Sequence, residues 1–312
     1  MPLPPFIERD SDPQIPPPYS FPNVSIRSFR LAADLGKLQA LCDKLLNIGT
    51  LAERGFEYRP ILPFVDLEVL TYPRMESEVS RYRQKGYTSQ HELYFRLLVA
   101  RIEQVFGIPV PTEVAVFIPY IFVDNNWSVV AGREVIGYPK VRASFEISSS
   151  NPYPMTISTD VFEKYDPDTK QTFQKLVEID VDEMNPAPSA LGADVAWPWG
   201  VLDDAELDLQ MFWVLQEFMR FAGFPTIQLK QIRDAENDGR ACYQALVHAA
   251  FQVAGITSPN PLPAAKVTIH PYDSLPIADE LGLGGGALKP LSQYSVECDM
   301  RFKDTYNLFV RP

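Results

Sequence analysis

Apolar stretches in this chain are short and are cut repeatedly by turn-forming residues, which calls for a frame built from strands. The run 114–123 stops at Asp124-Asn125-Asn126, and a second run, 127–131, leads to Gly137-Tyr138-Pro139. A third begins at Ala143 and reaches Ile147. Upstream, 24–29 and 64–71 read as strands, and downstream 227–232 and 242–253 do the same. Residues 155–179 read as a hairpin turning at Asp166-Pro167-Asp168, because a side chain such as Asp166 can bond its own backbone in a turn. A helix is expected over 34–47, where Leu35, Leu38, Leu41, Leu45 and Leu46 recur at helical spacing. The segment 76–105 is mixed, and its second half reads as either a helix or a bent strand. Many strands with few helices make a β-rich α+β protein, an antiparallel barrel or sandwich with added helices.

The ends and the middle differ from this pattern. Residues 1–22 are rich in proline and poor in core residues, so they read as an arm, and 23–312 as a single domain. An interruption at about 182–224 holds a Pro/Trp-rich stretch, 186–199, and a helix expected over 203–222, with Asp203 or Asp204 as its cap. Trp197-Pro198-Trp199 would suit a subunit interface, and a homo-oligomer is expected.

A net charge of −12 argues against a nucleic-acid partner, which needs a basic face, while leaving room for a local basic pocket that holds a carboxylate. Cys42, Cys242 and Cys298 show no close pair and no metal-like spacing, which fits a reducing compartment, and the cytoplasm is expected. His91, His248 and His270 are scattered, so no metal is expected. The glycines of 282–286 lack a following Lys-Ser/Thr, and no dinucleotide fingerprint appears, so no cofactor is expected. No run has the length or apolarity of a membrane span or a secretory leader.

Chemistry concentrates in Gly132-Arg133-Glu134-Val135-Ile136-Gly137-Tyr138-Pro139-Lys140. Pro139 lacks an amide hydrogen and holds Tyr138 toward an extended backbone, so Lys140 is presented from a stiff connection among apolar runs. In such surroundings the ammonium form loses solvation, and a free amine becomes available to attack a carbonyl.

Asp-Asn, a short apolar run, Gly-Arg-Glu and then aromatic-Pro-Lys resembles the active-site segment of acetoacetate decarboxylase. Residues 229–242 and 267–300 resemble later strands of the same family. The resemblance implies a cone-shaped β-barrel with the active site inside and a Schiff base between Lys140 and a small-molecule keto acid. It implies decarboxylation of a β-keto acid, with aldolase, dehydratase or cyclase chemistry on a larger keto acid as the alternative. A non-catalytic small-molecule-binding protein of the same fold is the third reading. Glu92, after Gly86-Tyr87-Thr88, matches the family's catalytic glutamate and would carry a proton, with Glu103 as its competitor. The chain departs from the family at Val141, where a second lysine is usual. Arg142 is the candidate replacement, because side chains two apart on a strand share a face, and it would bind a carboxylate. Tyr138 is expected against the lysine stem, with Phe117, Tyr120 and Phe122 as pocket lining or aromatic core. Arg133 and Glu134 are expected to hold the turn.

Overall fold

A computed structural model describes residues 5–148, 152–183 and 225–311. Its first half runs β1 (Tyr19–Ala32), α1 (Leu35–Leu45), α2 (Leu51–Arg54), β2 (Phe56–Pro60), β3 (Phe64–Ser77), α3 (Ser80–Arg83), β4 (Thr88–Val105) and β5 (Ile108–Val123). Then come α4 (Asn126–Ala131), β6 (Lys140–Ile147), β7 (Met155–Val161) and β8 (Thr172–Val181). The remainder is β9 (Thr226–Arg233), β10 (Ala241–Ala254), β11 (Asn260–Pro261), β12 (Ala265–Ile269), α5 (Ile277–Leu281), β13 (Ala287–Leu288) and β14 (Ser292–Arg311).

Strand pairing follows β5-β9-β10-β14-β1-β3-β4, and β4 pairs back onto β5, so seven strands close into a barrel. Closure leaves no open edge in that ring. At one end of β5 the sheet continues into a wing, β6-β7-β8-β12-β13. Of the antiparallel barrel or sandwich that the short apolar runs leave open, the barrel implied by the family resemblance is observed, with parallel pairing where β5 meets β6 and β9. The hairpin of β7 and β8 also forms, with the Asp166 side chain accepting from the Asp168 amide at 3.0 Å.

The alternation of β4 explains why 88–105 is a strand. Leu93, Phe95, Leu97 and Val99 face one apolar cluster, while Glu92, Tyr94 and Arg96 face the barrel interior. The interior face of β3 carries Asp66, Glu68, Leu70 and Tyr72, and its other face carries Val65, Leu67 and Val69. Two apolar clusters result. One packs the outward faces of β1, β3, β4 and β5 against the wing, α1 and α5. The other lies on the inward faces, beside the cavity.

The helix expected over 34–47 spans Leu35–Leu45, capped by the Asp34 carboxylate accepting from the Lys37 amide at 2.8 Å. The apolar run 127–131, placed in a strand-dominated stretch by its sequence, is instead helix α4. Asn125 decides this locally: its side-chain oxygen accepts from the amides of Trp127 and Ser128, and so starts a helix. The stretch 186–199 and the helix expected over 203–222 lie outside the described residues.

Candidate active site

The site is built where β5 leaves the barrel and β6 returns beside it. Ile121 pairs with Lys140 and Val123 with Arg142 in parallel register, so the connection must cross over, and it does so through α4. Asp124 anchors the crossing by accepting from the His91 backbone amide at 2.8 Å, with the His91 ring also 2.8 Å away. Residues Gly132–Ile136 then form a single wide π-helical turn. Such turns are found disproportionately at functional sites. The Gly132 carbonyl closes it, accepting from the amides of Gly137 and Tyr138 at 2.9 and 3.0 Å.

Two glycines in this segment leave no room for a side chain. A Cβ on Gly132 would lie 2.7 Å from the Cδ of Lys140, so the lysine stem crosses that bare backbone. Gly137 has φ of 90° and packs against Lys230, where a Cβ would meet backbone at 2.9 Å. Arg133 donates to the Lys140 carbonyl at 3.3 Å, the turn-holding task expected of it.

Lys140 is 8% exposed, and its Nζ donates to Glu92 Oε2 at 2.7 Å and to Ser128 Oγ at 2.9 Å. Glu92, itself 5% exposed, accepts at the same oxygen from Gln90 Nε2 at 2.9 Å. Its other oxygen accepts from the Tyr72 hydroxyl at 3.4 Å. Burial, with the Glu92 carboxylate beside it, raises the Tyr72 phenol well above its ordinary value, so it serves as a donor. Tyr138 is buried with its ring centre 5.9 Å from Nζ, and its hydroxyl shares a 2.7 Å hydrogen bond with Thr226. Lys140, Glu92, Ser128 and Tyr138 all line one cavity of about 280 Å³, to which every barrel strand contributes.

The remaining candidates go elsewhere. Phe117 and Tyr120 do not line this cavity; they sit on the opposite face of β5, in or against the wing-side cluster, as does Phe122. Strand alternation sends Val116, Ile118 and Ile121 inward, and a register shift in the β4–β5 pairing separates the two parts of the strand. The Tyr120 hydroxyl donates to Glu280 at 2.5 Å. Val141 likewise packs on the wing-side cluster, so the position next to Lys140 faces away from the cavity. Arg142 is exposed, lies outside the lining, and donates to the Ala143 carbonyl at 2.9 Å. Glu103 is at the far end of β4, near Arg101 and Thr112.

Several site residues carry no signal in the sequence. Ser128 is an ordinary serine until Asn125 starts α4 and turns it toward the lysine. Gln90 and Tyr72 come from two paired strands, and only their register, Tyr72 opposite Gln90, brings both to Glu92. Deeper in the barrel, Arg96 pairs with Glu68 at 2.8 Å and reaches Asp66 at 3.5 Å, while Arg30 binds Asp66 at 2.9 Å. Burial pushes the Glu68 carboxyl above its usual range against the pull of Arg96. Burial would also raise Asp66, but the two arginines hold it below its ordinary value. Cys298 lines the cavity too, and burial pushes its thiol up to about 12, which keeps it protonated and a poor competitor for an electrophile.

Among the described residues no cluster of three or more histidine, cysteine or acidic side chains is placed to hold a metal ion. Each histidine faces a carboxylate instead: His91 with Asp124, His248 with Glu113 and His270 with Glu178. Among the same residues no helix is long and apolar enough to cross a membrane.

Residues 57–183 match the acetoacetate decarboxylase family, a stretch that contains both Glu92 and Lys140. No curated protein matches the sequence. The fold is similar to that of acetoacetate decarboxylase from Legionella pneumophila, with a TM-score of 0.55 and 15% identity over 98% of this chain and 93% of that one. It is also similar to an acetoacetate decarboxylase-like enzyme from Sphingomonas wittichii, with a TM-score of 0.53 and 13% identity over 94% of each chain. The enduracididine biosynthesis enzyme MppR gives a TM-score of 0.52 and 13% identity, over 96% of this chain and 91% of that one.

Proposed function

We propose that this acetoacetate decarboxylase-like chain is a keto-acid lyase in which Lys140 forms a Schiff base with the substrate carbonyl. One observation carries the reading: a buried lysine nitrogen opens onto a cavity with a carboxylate 2.7 Å away, in reach to take its proton. The free amine attacks the carbonyl carbon, and the carbonyl oxygen leaves as water, giving an iminium. When the bond to the carboxylate breaks, carbon dioxide departs and the electron pair flows into the iminium nitrogen as an enamine. Glu92 has by then given the lysine's proton to the departing oxygen; it takes up another from solvent and delivers it to the enamine carbon. Water then hydrolyses the renewed iminium and frees the ketone and Lys140. Ser128 Oγ, 2.9 Å from Nζ, orients the amine and can bond the oxygen that leaves. Lys140 is thus the nucleophile, Glu92 the proton carrier and Tyr138 the wall of the lysine tunnel.

One observation favours a related reading. Val141 faces away from the cavity and Arg142 lies outside it, so neither supplies a second cation beside Lys140. The amine is freed instead by proton transfer within the Lys140–Glu92 pair, an arrangement equally suited to aldol, dehydration or cyclisation chemistry on a larger keto acid. A protein that binds such an acid without turning it over would also keep this ion pair, though not a covalent adduct.

Borohydride reduction in the presence of acetoacetate and longer keto acids tests the proposal. A substrate-sized mass increment on Lys140, lost in Lys140→Ala, is the expected result, and product analysis then separates decarboxylation from carbon–carbon cleavage or dehydration. Protein that binds a keto acid but yields no adduct at Lys140 would overturn the Schiff-base reading.

A further inference from the structure

The register of the barrel strands sorts the cavity lining into levels. Glu92 lies opposite Leu70, which lies opposite Ile26, and Ile26 lies opposite Val296. Two residues further along the same strands are Tyr94, Glu68, Ser28 and Tyr294, and beyond them Arg96, Asp66 and Arg30. Each step of two residues is about 7 Å. On one side of the Lys140–Glu92 pair the barrel is therefore charged and hydrogen-bonding. In the opposite direction the β1, β10 and β14 side becomes apolar, where Met300 lies opposite both Phe21 and Val253, and Phe251 opposite Phe302, while β3 and β4 bring Gln90, Thr88, Glu76 and Ser77 to the lining.

The apolar side is also the open one. Tyr87 and Trp127, which line the cavity, are 59% and 40% exposed, whereas Glu68 and Tyr94 are 3% and 7% exposed. A chain of ring contacts leads from the lysine outward: Tyr138 to Phe302 at 6.2 Å, Phe302 to Phe251 at 4.9 Å, and Phe302 to Phe21 at 5.7 Å. The proline-rich arm roofs the same side, with Pro13 and Ile15 in the lining and the Tyr19 hydroxyl donating to the Ile15 carbonyl. Glu8 fastens the arm to α3 through Arg81 at 3.2 Å.

We propose that this aromatic vestibule is a tail-binding subsite, and that the ligands of the cavity are β-keto acids carrying an apolar tail of several carbons. The proposal rests on the Schiff-base reading only for where the keto group sits. Directed inward, a tail would be set against Glu68, Asp66 and the arginines, and would leave the unpartnered Arg96 Nε without an acceptor. Directed outward it is buried among Phe21, Phe251, Phe302 and Met300. A four-carbon keto acid leaves much of the 280 Å³ to water.

The test is a series of straight-chain acids, acetoacetate, β-ketohexanoate, β-ketooctanoate and β-ketodecanoate, read by half-saturation of borohydride trapping. The matching β-hydroxy acids, which cannot form an iminium, are titrated in parallel by calorimetry. Half-saturation and dissociation constants should fall about fourfold per added methylene until the vestibule is full. The calorimetric series should show an increasingly negative heat-capacity change. Ile256→Asp, at the lip of the vestibule, should flatten both series. Trapping at Lys140 that is independent of length, with equally flat calorimetry, would overturn the tail subsite while leaving the Schiff base intact. Calorimetry that keeps its length dependence without any adduct would leave the subsite standing and overturn the chemistry instead.

Discussion

The two apolar clusters among the described residues use opposite faces of the same strands and are put to opposite uses. On the wing side, Leu67, Leu93, Phe95, Phe117 and Phe122 are buried at 1% exposure or less, in a cluster of apolar side chains. On the inward side, the neighbouring positions of β3 and β4 carry Asp66, Glu68, Glu92 and Arg96, with tyrosine hydroxyls and a lysine among them. The first arrangement gains from close packing and from removing apolar surface from water. The second places charges where water is scarce, which costs desolvation and is held only by pairing. A buried ion pair with a cavity beside it is weak evidence for stability and better evidence for a task.

Changes at the inner pair should have the largest effect on chemistry. Lys140→Met should abolish the borohydride-trapped adduct and all turnover, since among the described residues Lys140 is the lysine paired with Glu92. It should also destabilise the fold by about 3–5 kcal/mol, because Glu92 is left buried without its cation. Adding Glu92→Leu should recover that loss or exceed it by about 1–4 kcal/mol in urea unfolding, in an inactive protein. A double variant less stable than Lys140→Met alone would break the contrast between the two clusters. Glu92→Gln keeps the shape of the pair and removes its proton acceptor, so turnover should fall about 10²–10⁴-fold.

The wing-side cluster should respond in stability alone. Phe95→Ala should cost about 3–5 kcal/mol in chemical denaturation, while the folded fraction still traps a keto acid on Lys140. Gly132→Ala is intermediate, because its Cβ would press on the lysine stem. About 1–3 kcal/mol of strain is expected, along with slower trapping from a displaced amine. A Gly132→Ala protein with unchanged trapping would show that the stem is not confined there.

The smallest effect concerns pH. Burial raises the Glu68 carboxyl in the folded state, so the native form holds its proton to higher pH than the unfolded chain. The stabilisation this gives is complete below the ordinary carboxylate range and is lost as pH rises through the raised value. Glu68→Gln should remove that decline, seen as a flatter dependence of the urea midpoint on pH just above the carboxylate range. A decline of unchanged steepness in the variant would assign it to another group.

Much of the frame can be read directly from residue order. Short apolar runs cut by turn residues call for strands, and the helix at 34–47 follows from leucine spacing. The segment 76–105 was ambiguous because apolar and polar residues both occur there at spacings that suit either state. Its alternation acquires meaning only when Leu93, Phe95 and Leu97 have a wing to pack against. The run 127–131 reads as a strand by composition and becomes a helix because a single capping side chain, Asn125, satisfies its first free amides. Phe117 and Tyr120 illustrate the complementary problem: their aromatic character suits a pocket, but face is set by register, and a register shift between β4 and β5 intervenes.

Lys140, Glu92 and Tyr138 were named from the sequence because the motif around the lysine is local and constrained by proline and glycine, with Glu92 added by family resemblance. Their partnership was not, since Glu92 is 48 residues away and reaches the lysine only through strand pairing. The same holds for Ser128, aimed by a cap, and for Gln90 and Tyr72, placed by the pairing of β3 with β4. The sequence determined by itself the strand-rich class and the stiff presentation of the lysine after Pro139. These are properties of a few consecutive residues and their backbone preferences. Only the closed barrel decided which face of each strand meets the cavity, which carboxylate meets the lysine and which end of the pocket is apolar, because those depend on register and closure between strands far apart in the chain.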